Sequence, residues 1–245
     1  MPYHVINADH VIETIERLER RIGERFPGRG LAKVCTDFAA VARRDRDKVR
    51  ELRKPYIWVR AGVGGVLALG ALSLLFLLKE VKIPSFLRLI QPENEEGALF
   101  DLFQGIDSAV NVMALLGVGL FFLLRHEERD KQRLALEDLF ELRSLAHVID
   151  MHQLTKDPTT LLAGATRTPS SPKDHMTAYE LVRYLDYCSE MLSLVAKVGA
   201  LYAQDVRDPV VIELVSDLEA TTADMSREIW QKILLIEQMD LVRAG

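Results

Sequence analysis

The sequence predicts an all-α protein: a two-span transmembrane helical hairpin with a cytoplasmic helical bundle formed by the N- and C-terminal segments. Three observations predict it. Two runs of 18 and 17 residues, 61–78 and 108–124, carry no charged side chain. Apolar residues elsewhere recur at the three-to-four spacing of amphipathic helices. No stretch alternates with period two between turn signals, so no sheet is expected. The composition agrees: of 245 residues, 49% are hydrophobic and 27% charged, too charged for a polytopic transporter. The expected division is 1–56 as N-terminal helices, 57–78 as the first span and 79–107 as an acidic extracytoplasmic loop. The second span follows at 108–124 and a C-terminal helical domain at 125–245.

The N-terminal segment reads as helices over 9–25 and 31–54, broken by Phe26-Pro27-Gly28-Arg29-Gly30. Its end is basic, with Arg43, Arg44, Arg46, Lys48, Arg50, Arg53 and Lys54 before the first span. At a membrane surface, anionic headgroups attract each such cation by about 1 kcal/mol. As helices the two uncharged runs extend about 25–27 Å, and flanking Ile57, Trp58 and Ile106 lengthen them toward the roughly 30 Å of a bilayer core. Small residues at Ala61/Gly65 and Gly64/Ala68 permit close helix approach, within the hairpin or between subunits, and Gly117 and Gly119 do likewise in the second span. Formal charge is +5 over residues 1–60, −3 over 79–107 and −7 over 125–245, which makes the chain's −5. The excess of Lys and Arg beside both spans places both termini in the cytoplasm, in an inner or plasma membrane. A first span that begins after a long polar segment argues against a cleaved signal peptide. The apolar stretch 83–90 is expected either to lie on the outer leaflet or to pack on the hairpin.

From the second span the helical pattern continues unbroken, giving one helix over 108–155 of about 70 Å. Leu136, Leu139, Phe140, Leu142, Leu145, Ala146 and Ile149 form its apolar stripe, and Asp138 and Glu141 fall on its other faces. Pro158 and the Thr/Ser/Pro-rich run to Pro172 end it. A helix over 177–204 carries Leu181, Leu185, Cys188, Leu192, Val195 and Val198 on one side. Asp208-Pro209 is a start signal, an N-cap followed by proline in the first turn. Val211, Val215, Leu218, Thr222, Met225, Ile229, Ile233 and Ile236 then follow a near-heptad track. Cys35 and Cys188 read as buried small hydrophobes in a reducing compartment.

Two clusters invite a chemical reading. His147 and Asp150 lie about 60° apart around a helix and would chelate a divalent metal together, whereas His152 lies about 140° from His147. A complete site would recruit His175, Asp186, Glu190 or Glu213. The simpler account is a helix C-terminus, where His and Lys suit the dipole. Asp107 and Asn111 would ring the outer mouth of a pore in an oligomer; more simply, Asp107 caps the span and Asn111 bonds a neighbouring helix. No nucleophile elbow, phosphate-binding loop or dinucleotide fingerprint is present. The leading expectation is an integral membrane protein whose bundle serves as an oligomerising scaffold, sensor or regulator rather than an enzyme. A homo-oligomeric ion channel lined by the second span comes next, and a membrane-tethered metal-dependent enzyme third. Expected partners are anionic lipid headgroups, further copies of the chain and a cytoplasmic protein; an acidic C-terminal half disfavours nucleic acid.

Overall fold

A computed structural model describes residues 5–80, 95–161 and 176–244. It is helical throughout its regular structure, and no strand occurs among the described residues. The elements are α1 (Ala8–Arg25), α2 (Gly30–Leu52), α3 (Ile57–Glu80), α4 (Glu95–Leu154), a 3₁₀ turn (Pro158–Leu161), α5 (Ala178–Asp205) and α6 (Pro209–Ala244). They form two compact units, one of residues 1–53 with 132–245 and one of residues 54–131.

In the first unit each helix end carries its own stop or start. Asn7 accepts the Asp9 amide at 2.9 Å and starts α1, which buries Ile15, Leu18 and Ile22. Gly28 turns the chain into α2 at φ 72°, a left-handed conformation that favours glycine. Thr177 and Glu180 close a capping box at α5, the Glu180 amide donating to Thr177 Oγ1 at 3.2 Å and the Thr177 amide to Glu180 Oε2 at 2.8 Å. Asp208 Oδ1 accepts the amides of Val210 and Val211 at 2.9 and 3.2 Å, the N-cap expected before Pro209. α5 is the central element: α1, α2 and α6 all pack against it. Its side chains Leu185, Cys188, Leu192, Val195 and Val198 are wholly buried. At Gly199 an added Cβ would stand 2.8 Å from Leu218 Cδ2, so glycine allows α6 this close. The near-heptad residues of α6 are buried except Met225, which packs partly exposed against the core. Both cysteines are free and buried.

The α4 stripe departs from expectation at two positions. Leu139, Leu142, Ala146 and Ile149 enter the core, but Phe140 is 55% exposed and Asp138 is buried. Asp138 lies one turn from both Ala135 and Leu142 and so shares the inward face. It remains there because partners from two other helices satisfy its carboxylate, as described below.

In the second unit, two described helices are long and apolar enough to cross a membrane, and almost none of their apolar surface is buried within the protein. Leu72 and Leu115 are 66% and 74% exposed, as suits side chains that meet lipid. The two helices touch through Gly62 and Gly70, where an added Cβ would meet Leu123 Cδ1 at 3.3 Å and Leu116 Cδ1 at 2.9 Å. Ala61, Gly64, Gly65 and Ala68 are exposed, and no neighbouring helix lies within 4 Å of a Cβ built on either glycine. Their spacing permits a helix contact, but the contact in the hairpin falls on the adjacent face.

The helix of the second apolar run is described from Glu95, so residues 95–107 of the expected loop are helical. The apolar stretch 83–90 lies outside the described residues.

Candidate functional site

The most unusual chemistry among the described residues is a cluster of charge around two buried carboxylates, Asp45 and Asp138, inside the first unit. α2 contributes Arg44, Asp45 and Lys48 within one turn, α4 contributes Asp138 and Glu141 one turn apart, and α5 contributes Tyr202. Lys48 Nζ donates to Asp138 Oδ1 at 2.6 Å, and the Tyr202 hydroxyl donates to Asp138 Oδ2 at 2.9 Å. Arg44 divides its guanidinium between two carboxylates. Its Nη2 reaches Glu141 Oε2 at 2.6 Å and Asp45 Oδ1 at 3.0 Å. The other oxygen of Asp45, Oδ2, is buried with no hydrogen-bond partner.

The electrostatics follow from that geometry. Burial disfavours the Asp45 carboxylate and moves its pKa from 3.8 up to about 6; Arg44 opposes the change and the Asp138 charge adds to it. Burial also raises Tyr202, helped by the charges of Asp45 and Asp138, so its hydroxyl keeps its proton and remains a donor. The Glu141 hydrogen bond raises Arg44, which stays charged. With all five ionised the cluster carries three negative and two positive charges, and one proton on Asp45 neutralises it. Near neutrality, therefore, this core holds a group that exchanges a proton.

The anticipated site residues are distributed differently. His147 is exposed, and Asp150 is half-buried and accepts Gln153 Nε2 at 2.7 Å. Among the described residues no group of three His, Cys, Asp or Glu side chains is arranged to hold a metal. Of the recruitable ligands, Asp186 accepts Arg183 at 2.6 Å, Glu190 accepts Arg21 at 2.9 Å, and Glu213 is exposed. His175 lies outside the described residues. The structural role in this stretch belongs to Gln153, wholly buried, whose Oε1 accepts Lys232 Nζ of α6 at 2.5 Å. Asp107 lies inside α4 and caps nothing; Asn111 Nδ2 donates to its Oδ2 at 3.3 Å on an exposed face.

Most of the basic run is already paired with carboxylates of the same unit. Arg43 meets Glu16 and Glu19, Arg46 meets Asp47 and Asp9, and Arg50 meets Asp9 at 2.7 Å. Arg44 and Lys48 pair with the buried Asp45 and Asp138. Arg53 and Lys54 are exposed at the end of α2. Asp45 escaped sequence reasoning because it sits among these cations and looks like surface charge. Asp138 carried a usable signal, its register with Ala135 and Leu142.

No family model, curated protein or solved structure matches this chain.

Proposed function

We propose an integral membrane protein whose helical bundle faces the cytoplasm and acts as an oligomerising sensor or regulator, not an enzyme. The observation that carries this reading is α4 itself. Its stretch from Ile106 onward includes an apolar, unburied run long enough to cross a bilayer, whereas its last turns supply Ala135, Leu139, Leu142, Ala146 and Ile149 to the core of the first unit. One continuous helix thus joins a segment suited to lipid with a segment packed into a core that holds buried carboxylates, which supports a link between membrane and bundle. The Asp45 cluster supports a sensing role, since its proton occupancy alters the balance of charge in that core. Cations flank both apolar runs and the segment between them is acidic, which supports cytoplasmic termini. The exposed Arg53 and Lys54 are the cations best placed for anionic headgroups.

Two measurements on the full chain test this reading. Alkaline carbonate should leave the chain in the membrane pellet, and release into the supernatant would refute membrane integration. Native mass spectrometry in detergent should then show a small metal-free oligomer, with no ion flux after reconstitution into liposomes. A ring of four or more chains whose flux falls with Asp107→Ala would favour the channel instead. Stoichiometric metal that is lost with His147→Ala would favour the metal enzyme.

A further inference from the structure

α2 and α4 are the helices of the first unit that lead into the two apolar runs. Only residues 53–56 separate α2 from α3, and α4 passes without a break from its apolar run into the core. We propose that the contact between α2 and α4 is a proton-operated latch, closed while Asp45 carries a proton on Oδ2 and opened when a rise in cytoplasmic pH removes it. The latch rests on the sensing role proposed above and gives that role a stimulus and a moving part, the last turns of α2.

Its geometry places carboxylates inside and cations at the rim. Asp45 and Asp138 are buried, whereas the side chains of Arg44 and Lys48 are 42% and 39% exposed. These two cations tie α2 to α4, Lys48 through Asp138 at 2.6 Å and Arg44 through Glu141 at 2.6 Å. Arg44 Nη2 also stands 3.8 Å from Asp138 Oδ1. The Arg44–Glu141 pair is open to solvent at both ends, and such pairs hold by about 1 kcal/mol or less. A contact fastened from its rim separates at small cost.

Asp45 decides the balance. Its Oδ1 accepts from Arg44, but its Oδ2 has no hydrogen-bond partner within the closed contact. A protonated Oδ2 is neutral and costs less there than an ionised one, which leaves a buried charge with an unfilled acceptor. Separation of α2 from α4 admits water to that oxygen and relieves the cost, so the proton acts as a ligand of the closed form. The groups around Asp45 set the direction. On its own helix Arg44 favours the carboxylate, while Asp138 and Glu141 of α4 disfavour it. Lys48 and Tyr202 of α5 both donate to Asp138. α1 pairs its carboxylates with other cations, Glu16 and Glu19 with Arg43, and Asp9 with Arg46 and Arg50. Burial outweighs Arg44 and holds the closed Asp45 at about 6, against an ordinary 3.8 once water reaches it. The closed form therefore keeps the proton more tightly, and the open form gains as the pH rises. From these two values the open-to-closed ratio grows about tenfold between pH 5 and pH 8.

The test is a spin-label distance measurement on the full chain in detergent. Labels at Glu51→Cys on α2 and Ser144→Cys on α4 occupy exposed positions, and the native Cys35 and Cys188 are buried. A longer distance should appear at pH 8 and its ratio to the short one should be about tenfold lower at pH 5. Labels at Ser144→Cys and Lys197→Cys, on α4 and α5, should keep one distance at both pH values. Asp45→Asn has no proton to lose, and in that background the Glu51–Ser144 distance should stay short throughout. Melting curves at pH 5 show that each variant is folded. Identical Glu51–Ser144 distances at pH 5 and pH 8 in the parent overturn the latch. A lengthening that survives Asp45→Asn, or that appears equally between Ser144 and Lys197, overturns it as well. Each of these outcomes is independent of carbonate extraction and native mass spectrometry, so the latch and the reading it rests on fail separately.

Discussion

Asp45 gives the bundle a stability that falls as the pH rises. Its pKa is about 6 in the folded protein against an ordinary 3.8, so the folded state holds this proton more tightly than the unfolded chain. Below about pH 4 the group is protonated in both states and costs nothing. Between about pH 4 and 6 the unfolded chain releases the proton first and stability is lost; above about pH 6 the loss is complete. The interval from 3.8 to about 6 corresponds to about 3 kcal/mol. Asp45→Asn substitutes a neutral side chain of the same shape that still accepts from Arg44. In a bundle of this size each kcal/mol moves the melting temperature by roughly 2–4 °C. The variant's melting temperature relative to the parent should therefore rise by roughly 6–12 °C between about pH 4 and about pH 7. The assay is thermal melting of the full chain in detergent, followed by circular dichroism at 222 nm. Carboxylates outside the cluster contribute alike to both proteins, so the difference reports Asp45 together with its coupling to Asp138 and Glu141. A difference that stays constant across this range, or that moves in the opposite direction, would refute the reasoning.

The same melts check three further substitutions. Gly199→Ala drives a methyl group into Leu218 at a fully packed crossing and should cost about 1–3 kcal/mol. Tyr202→Phe deletes a buried donor to Asp138 and should cost about 1.5–3 kcal/mol, while Lys48 keeps the other carboxylate oxygen occupied. Thr177→Ala removes the exposed capping box of α5 and should cost about 1 kcal/mol, with little change in its pH dependence.

The helices were legible because their signals are local. The Asp208-Pro209 start, the Thr177 boundary and the break at Phe26 to Gly30 each depend on residues within one turn, and each occurs at its expected place. The apolar runs were equally plain, since crossing a hydrocarbon layer requires length and absence of charge, both of which can be counted. The helical residues 95–107 were missed because acidic residues beside an apolar run read as loop.

The amino-acid order by itself determined the helical class of the described residues, two helices long and apolar enough to cross a membrane, and the inward stripes of α5 and α6, because length, composition and periodicity are properties of one helix. Tertiary structure alone decided which charges are buried and which small residues make contact. Asp45 looks in sequence like any surface aspartate, and the register of Asp138 points inward without naming a partner; only the arrival of Lys48 and Tyr202 around Asp138, and the absence of any partner for the second oxygen of Asp45, separates their chemistry. Gly62 and Gly70 likewise meet the second span while Gly64 and Gly65 do not, since the rotation of a helix against its neighbour is fixed by packing between elements and leaves no trace in the spacing of small residues.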